Sequence, residues 1–434
     1  MRPESASCRF QRGGIGEILS WPPRVVLLSV ATSDLGTIFE RVSREPVPFK
    51  VSVSEETIQD LRRRLEQTRL VEFASADSWS AGVPVGFLQG LIDYWLHGFD
   101  WRAVEDRLAT RRQMILDTGG VRLHFVNQPS TESRSLPLVL VHGWPSSFLE
   151  MLELADLLSD PVGHGGSGED AFDVVIPSLP GFGFSDKTWH GPWALTSGEA
   201  INELMMSLGY EHYGVHTHDV GASVMTGVCL AHPDAIIGYH TTEPGIPGPY
   251  PEPPLDSLTS EERVYQTTVD AWLGEEGGYL DVLRTRSLTI GHALHDSPGG
   301  LAAWIAEKWW TWSVPAGGGK ELGDLVPMDL LVANIALYWH TGTIHSANWI
   351  YSPGQRRVRQ LGEKVTRPVG VTLGIQAIER APRIWAERFF GDVQHWANLG
   401  RGGHFLAAEE PQLLAESIRR FFRPLRDASL SPPQ

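Results

Sequence analysis

The sequence predicts an α/β protein built on a mostly parallel central sheet, with a helical insertion between core strands and a helical extension before them. Three observations carry that reading. From about residue 114, apolar and β-branched runs alternate with helical patterns, the order expected of parallel strands joined by crossovers. One run, Gly214-Val215-His216-Thr217, gives way through Asp219 to the small residues Gly221-Ala222-Ser223 and then a helical pattern. A long interval from about Pro244 to Arg367 separates two later runs. It is large enough to cap the carboxyl ends of the strands, where open α/β sheets bind ligands.

Residues 1–45 carry Arg2, Arg9, Arg12 and Trp21-Pro22-Pro23 and read as a weakly ordered extension. Their apolar run, Val25 to Ala31, is far shorter than the ~20 residues of a membrane span. Prolines before it and Thr32-Ser33-Asp34 after it do not suit a signal peptide. A cytoplasmic location without a membrane anchor is the default expectation. Residues 46–112 read as a helical region packing on the core. Ser54 caps a first helix over 54–69, Glu55 and Glu56 acidify its first turn, and Ile58, Leu61 and Leu65 form its apolar stripe. Further helices are expected from Pro84 through Leu96 and from Trp101 to about Arg112.

The first part of the core, residues 113–243, opens with a hairpin from Met114 to Val126 that turns at Thr118-Gly119-Gly120. Strands follow over Leu136–Val141, Phe172–Ile176, His212–Thr217 and Ala235–His240. The cap, 244–367, contains helical patterns such as Leu301–Trp310 and Leu330–Tyr338. The second part of the core, 368–425, supplies strands over Val369–Leu373 and Val393–Asn398 and an amphipathic helix over Gln412–Phe422, before a tail at 426–434.

Composition removes several function classes. The 434 residues carry a formal net charge of −16 with no Lys/Arg block, which argues against nucleic acid and anionic membrane as partners. Cys8 and Cys229 are too few for a disulfide framework and lack metal-ligand spacing. No internal repeat suggests a solenoid. Sixteen tryptophans suit an aromatic pocket under a cap, although core packing is their commoner use.

The turn at Asp219 has the outline of a nucleophile elbow with aspartate in place of serine. Such a turn needs small neighbours, because the nucleophile's backbone is strained and the following helix passes close to the strand. A carboxylate attacking carbon gives an ester that a second step must hydrolyse, which points to alkyl transfer such as epoxide opening. The plain alternative is an acidic N-cap. His142-Gly143-Trp144-Pro145 ends the first parallel strand, so the Trp144 and Val220 N–H groups are candidates for an oxyanion hole. Gly402-Gly403-His404 places a flexible loop before a late histidine that could activate water against the ester.

From about residue 46 to 425 the chain resembles the microsomal-type epoxide hydrolases, a family with the α/β-hydrolase fold. The resemblance lies in Val47-Pro48-Phe49-Lys50, His142-Gly143-Trp144-Pro145, Leu179-Pro180-Gly181-Phe182-Gly183-Phe184-Ser185, the stretch from Asp296 to Lys308, Tyr338-Trp339-His340-Thr341-Gly342-Thr343-Ile344 and Gly402-Gly403-His404-Phe405. It implies a cofactor-independent hydrolase acting on a small-molecule epoxide and water, with no metal. A homodimer is left open. Asp219 stands where the family's nucleophile is, His404 where its base is, and Tyr279 and Tyr351 match the two cap tyrosines that hydrogen-bond the epoxide oxygen. Phenols suit that task, since they donate to a developing alkoxide while staying neutral at pH 7.

Three departures follow. The family's Gly-Gly-Asp-Trp-Gly elbow is Thr217-His218-Asp219-Val220-Gly221 here, the mammalian-type anchor is missing, and the slot of the triad's acid holds Ala377. Glu379 could enter by a local slip of that loop. Glu243 is the preferred replacement, because many haloalkane dehalogenases place their acid at the corresponding strand end, and a triad is defined by geometry rather than chain position. The expected function is therefore opening of an epoxide to a vicinal diol through an aspartyl ester, with Glu243 orienting His404. A dehalogenase-like hydrolase and a ligand-binding pseudoenzyme are the alternatives.

Overall fold

A computed structural model describes residues 45–72, 78–244, 253–313, 322–355, 363–376 and 380–429. Among these, nine strands form one sheet: β1 (Val47–Pro48), β2 (Arg112–Asp117), β3 (Arg122–Gln128), β4 (Leu136–Val141), β5 (Phe172–Pro177), β6 (Tyr213–Thr217), β7 (Ile236–Thr241), β8 (Val365–Leu373) and β9 (Phe390–Asn398). Their spatial order is β1-β2-β3-β5-β4-β6-β7-β8-β9. The pairs β1–β2, β2–β3 and β3–β5 are antiparallel, and every later pair is parallel. This is an α/β-hydrolase fold. The central parallel strands β4 and β5 are apolar almost throughout, as strands covered on both faces must be.

The chain differs from the sequence expectation at several ends. The third N-terminal helix spans Trp101–Ala109 and stops short of Arg112, because Arg112 pairs with Asn127 as the first residue of β2. The C-terminal helix runs Pro411–Ser429, past the expected Phe422. Its buried stripe of Leu414, Ala415, Ile418, Phe421, Phe422 and Leu425 has helical spacing and lies against the sheet. The two-residue edge strand β1 was not expected, since no periodicity can register in so short a segment.

The helices Glu55–Glu66 and Val85–His97 lie against the helix Pro298–Ser313 of the insertion, so the N-terminal region touches both core and cap. Trp79 stacks on Trp310 at 4.3 Å and the Tyr94 hydroxyl donates to Asp329 at 2.6 Å, while Phe49 meets His124 on β3 at 5.2 Å. The insertion contributes the helices Ser260–Glu276, Gly278–Asp296, Pro298–Ser313, Met328–Thr341 and Ile344–Trp349. It is fastened to the core at the turn after β4. There Asn334 Nδ2 donates to the Pro145 carbonyl and the Tyr338 hydroxyl to the Ser146 carbonyl, both at 2.8 Å and both buried. No described helix is long and apolar enough to cross a membrane. Residues 1–44, with the expected extension and Cys8, lie outside the described residues, as do Ala377, Glu379 and 430–434.

Candidate active site

The segments after β4, β6, β7 and β9 meet at the carboxyl edge of the sheet beneath the insertion. After β6, Asp219 has φ 50° and ψ −129°, and among the described residues it is the only non-glycine with positive φ. Such a conformation costs roughly 1–3 kcal/mol and persists only where the surroundings impose it. Close packing imposes it here. A Cβ on Gly143 would sit 2.4 Å from that of Asp219, and one on Gly221 would meet the His142 carbonyl oxygen at 2.8 Å. Asp219 occupies the N-cap position of the helix Val220–Ala231, yet its side chain makes no capping hydrogen bond, so the plain cap reading does not describe it. Instead Oδ1 accepts from the Trp144 N–H at 2.7 Å, and Oδ2 lies 3.9 Å from His404 Nε2.

His404 is held by its loop. Its N–H donates to the Trp312 carbonyl at 2.9 Å, and Glu409 accepts from the N–H groups of Gly403 at 2.7 Å and Phe405 at 3.0 Å. On the far side of the ring, Nδ1 lies 3.3 Å from Glu243 Oε1. Glu243 follows β7 and is 4% exposed, which rules out a solvent-facing hinge. Its N–H donates to Thr241 Oγ1 at 2.9 Å. Aspartate, imidazole and glutamate thus lie in sequence around one ring. Ala377 and Glu379 fall outside the described residues and cannot be placed beside them.

The turn after β4 is rigid. His142 Nε2 accepts from the Leu179 N–H at 3.1 Å, Nδ1 lies 3.0 Å from the Gly143 carbonyl, and burial pushes the imidazole down to about 4, so it stays neutral. Val220 is the first residue of its helix, and the N–H groups of a helix start have no acceptor within the helix. Above the turn, the ring of Tyr279 stacks on that of Trp144 at 5.2 Å, and Tyr351 meets both edge-on, at 6.1 and 5.4 Å. Trp312 stands 5.5 Å from Tyr279 and 4.9 Å from His404, completing an aromatic wall.

Three neighbours escaped the sequence reading as site residues. Asn348 accepts from Trp144 Nε1 at 3.1 Å and so fixes the ring on which Tyr279 stacks. Its place three residues before Tyr351, about one helical turn, was the available signal. Glu150 and His218 are both buried, with Glu150 Oε2 3.6 Å from His218 Nε2, and the rings of His218 and His404 are 4.5 Å apart. Burial raises the Glu150 carboxyl to about 7, helped by the Asp219 charge and opposed by Ser146 and His404. Burial also holds His218 well below its usual value. Among the described residues, ligand atoms of His218, Glu243 and His404 approach within 4.8 Å of one another, close enough to admit a metal geometrically. Pairing of both His404 nitrogens with carboxylates gives a simpler account of them.

Residues 46–151 match the family described as epoxide hydrolase N terminus, and 137–275 match the alpha/beta hydrolase fold. The chain is 39% identical over 381 residues to a provisionally named epoxide hydrolase of Stigmatella aurantiaca, covering 87% of this chain and 85% of that protein. It is 32% identical to Epoxide hydrolase 1 of Sus scrofa, over 86% of this chain and 88% of that one. The chain belongs to the microsomal-type epoxide hydrolase family. Among solved structures, the epoxide hydrolase of Aspergillus niger superimposes with a TM-score of 0.75 at 25% identity, covering 88% of this chain and 97% of that one. The juvenile hormone epoxide hydrolase of Bombyx mori gives 0.75 at 26%, covering 89% and 95%. In this epoxide hydrolase, Asp219, His404 and Glu243 lie together beneath the insertion.

Proposed function

We propose that this epoxide hydrolase works through an ester on Asp219, with Glu243 as the acid that orients His404. The observation that carries the proposal is the asymmetric setting of the Asp219 carboxylate, one oxygen held by the Trp144 N–H and the other 3.9 Å from His404 Nε2. Oδ2 attacks an epoxide carbon and forms a carbon–oxygen bond as the ring bond breaks. Tyr279 and Tyr351 hydrogen-bond the departing oxygen, and a phenol gives it a proton. His404 then takes a proton from water. The hydroxide adds to Cγ of the ester, with Oδ1 as the developing oxyanion on the Trp144 and Val220 N–H groups. Collapse expels the diol, whose leaving oxygen takes the proton from His404, while the second water proton, left on the new carboxyl, returns to the phenolate, so Asp219 is again a carboxylate, now carrying one oxygen from water. Glu243 fixes the imidazole tautomer and stabilises the imidazolium, as the acid of a triad does.

Each step uses groups of one chain and water, so none calls for a second copy or a membrane anchor. Aromatic walls of Trp144, Trp312, Tyr279 and Tyr351 favour an apolar epoxide, and an aryl epoxide such as styrene oxide is the first probe. The test is repeated turnover in heavy-oxygen water, followed by mass analysis of the peptide containing Asp219. Incorporation of heavy oxygen there is expected. Diol formation with label only in the product would replace the ester route with direct attack by water.

A further inference from the structure

The elbow departs from its family by placing His218 directly before the nucleophile, and the mechanism above leaves that histidine and Glu150 unused. Glu150 sits in the single turn Phe148–Met151 that follows the Trp144 loop, and His218 lies between β6 and the elbow. Both side chains are almost completely buried, at 1% and 3% exposure. Neither ring nitrogen of His218 has a hydrogen-bond partner among the described residues, and the Glu150 carboxyl has only the Ser146 hydroxyl beside it. A polar pair of this kind is costly unless it is uncharged. The titratable groups facing it are His404 and Asp219 toward Glu150, and His404, His216 and His142 toward His218, with Glu243 on the far side of His404. His404 thus already stands between two carboxylates.

A third negative charge beside His404 would hold its ring as imidazolium, the form that cannot accept a proton from water. We propose that Glu150 and His218 act together as a positioning pair for His404, keeping the buried space beside its ring uncharged so that the imidazole can serve as the base in ester hydrolysis. The pair does so in two ways. His218 fills the volume through which water would otherwise solvate and ionise Glu150, and the protonated carboxyl leaves the field at His404 to Asp219 and Glu243. The direction of the Glu150 shift, upward through burial, agrees with this. As Glu150 ionises toward higher pH, its charge strengthens proton binding at His404, so the two groups titrate together.

This inference rests on His404 being the base. Its test therefore includes a readout that does not depend on turnover, titration of His404 by nitrogen-15 NMR of the histidine side chains. In Glu150→Gln, an isosteric change that is uncharged as Glu150 is held to be, His404 should titrate within a few tenths of a pH unit, about twofold in proton affinity, of wild type below about pH 7. In His218→Gly, which restores the small residue usual at this elbow position, Glu150 is hydrated and ionised. His404 should then gain proton affinity about tenfold, about one pH unit, and Glu150→Gln in the same chain should cancel that shift. The acid limb of ester hydrolysis, followed in single turnover with styrene oxide, should move with the NMR value in each variant. A tenfold fall in His404 proton affinity in Glu150→Gln, which would show a charged Glu150 in the wild type, or no rise in His218→Gly, would reduce the pair to packing. NMR shifts as expected without any ester or diol would instead overturn the proposed reaction and leave the pair intact.

Discussion

His216 and His218 stand two residues apart at the end of one strand, and only the first is tied into a hydrogen-bond network. Both are buried, at 0% and 2% exposure. His216 Nδ1 lies 2.9 Å from His240 Nδ1, His240 Nε2 lies 2.9 Å from Thr372 Oγ1, and Thr372 reaches Ser417 Oγ at 2.7 Å, which also meets His395 Nε2 at 2.8 Å. This chain of polar contacts ties β6, β7, β8 and β9 to the C-terminal helix. His218 faces another imidazole and a carboxyl with no hydrogen bond to either ring nitrogen among the described residues. Burial therefore does not separate a structural histidine from a site histidine in this protein. Membership of a hydrogen-bond network does: His216 joins one through Nδ1, although its Nε2 has no partner among the described residues, whereas neither ring nitrogen of His218 joins any.

The largest effect should come from the site side of that contrast. Glu243→Gln keeps the shape beside His404 but removes the charge that stabilises its imidazolium. Ester hydrolysis should slow by about 10³–10⁴-fold, the range for loss of a triad acid, while ester formation is far less affected. The ester on Asp219 should consequently accumulate and be trapped by acid quench and mass analysis. A hydrolysis rate within a few-fold of wild type would move the acid role away from Glu243.

The next effect separates the two regions through pH. Burial depresses His124 and His216 to about 3 and His142 to about 4, so each stays neutral in the folded chain where it would be protonated unfolded. The unfolded state binds the extra protons, and stability is whole above about pH 6.5 and falls as pH drops toward the folded values. Each such histidine contributes a loss of up to about 1.4 kcal/mol per pH unit in that window. Glu150 acts in the opposite sense. Its folded value of about 7 lies above the ordinary 4.5, so its carboxyl binds a proton on folding and gains stability as pH falls. Urea unfolding from pH 7.5 to 5 should show decreasing stability, and Glu150→Gln should steepen the decline. A flat profile in both proteins would remove the burial argument for the histidines and the carboxyl alike.

Much of this arrangement was legible in sequence, for reasons that vary by residue. Asp219 was visible because a strained turn demands small neighbours, and Gly221 records that demand as a close approach to the His142 carbonyl. His404 was visible from the two glycines before it, and Glu243 through the resemblance to haloalkane dehalogenases, many of which place their acid at that strand end. The Glu150–His218 contact was not legible, because it joins a turn after β4 to one after β6 and nothing in the spacing of the two residues encodes adjacent parallel strands. The strand boundaries shifted by a few residues where pairing decided them. Phe390–Val393 entered β9 through register with Val365–Val369, although apolar patterning begins only near Val393.

The smallest effect belongs to the networked region around His216 and His240 and should leave chemistry alone. Thr372→Val preserves shape while removing the hydroxyl that links His240 Nε2 to Ser417 Oγ, both of them buried. Ser417 keeps its contact with His395, so the main loss is a buried imidazole nitrogen without a partner. Leaving such a group unsatisfied costs about 1–3 kcal/mol. The urea midpoint should fall accordingly, with diol formation from styrene oxide unchanged per folded molecule. The residue lies on β8, one strand beyond β7 and its Glu243, so a lowered rate at full folding would show that the network positions the acid. An unchanged rate with lowered stability would keep the two histidine regions functionally separate, as their hydrogen bonding implies.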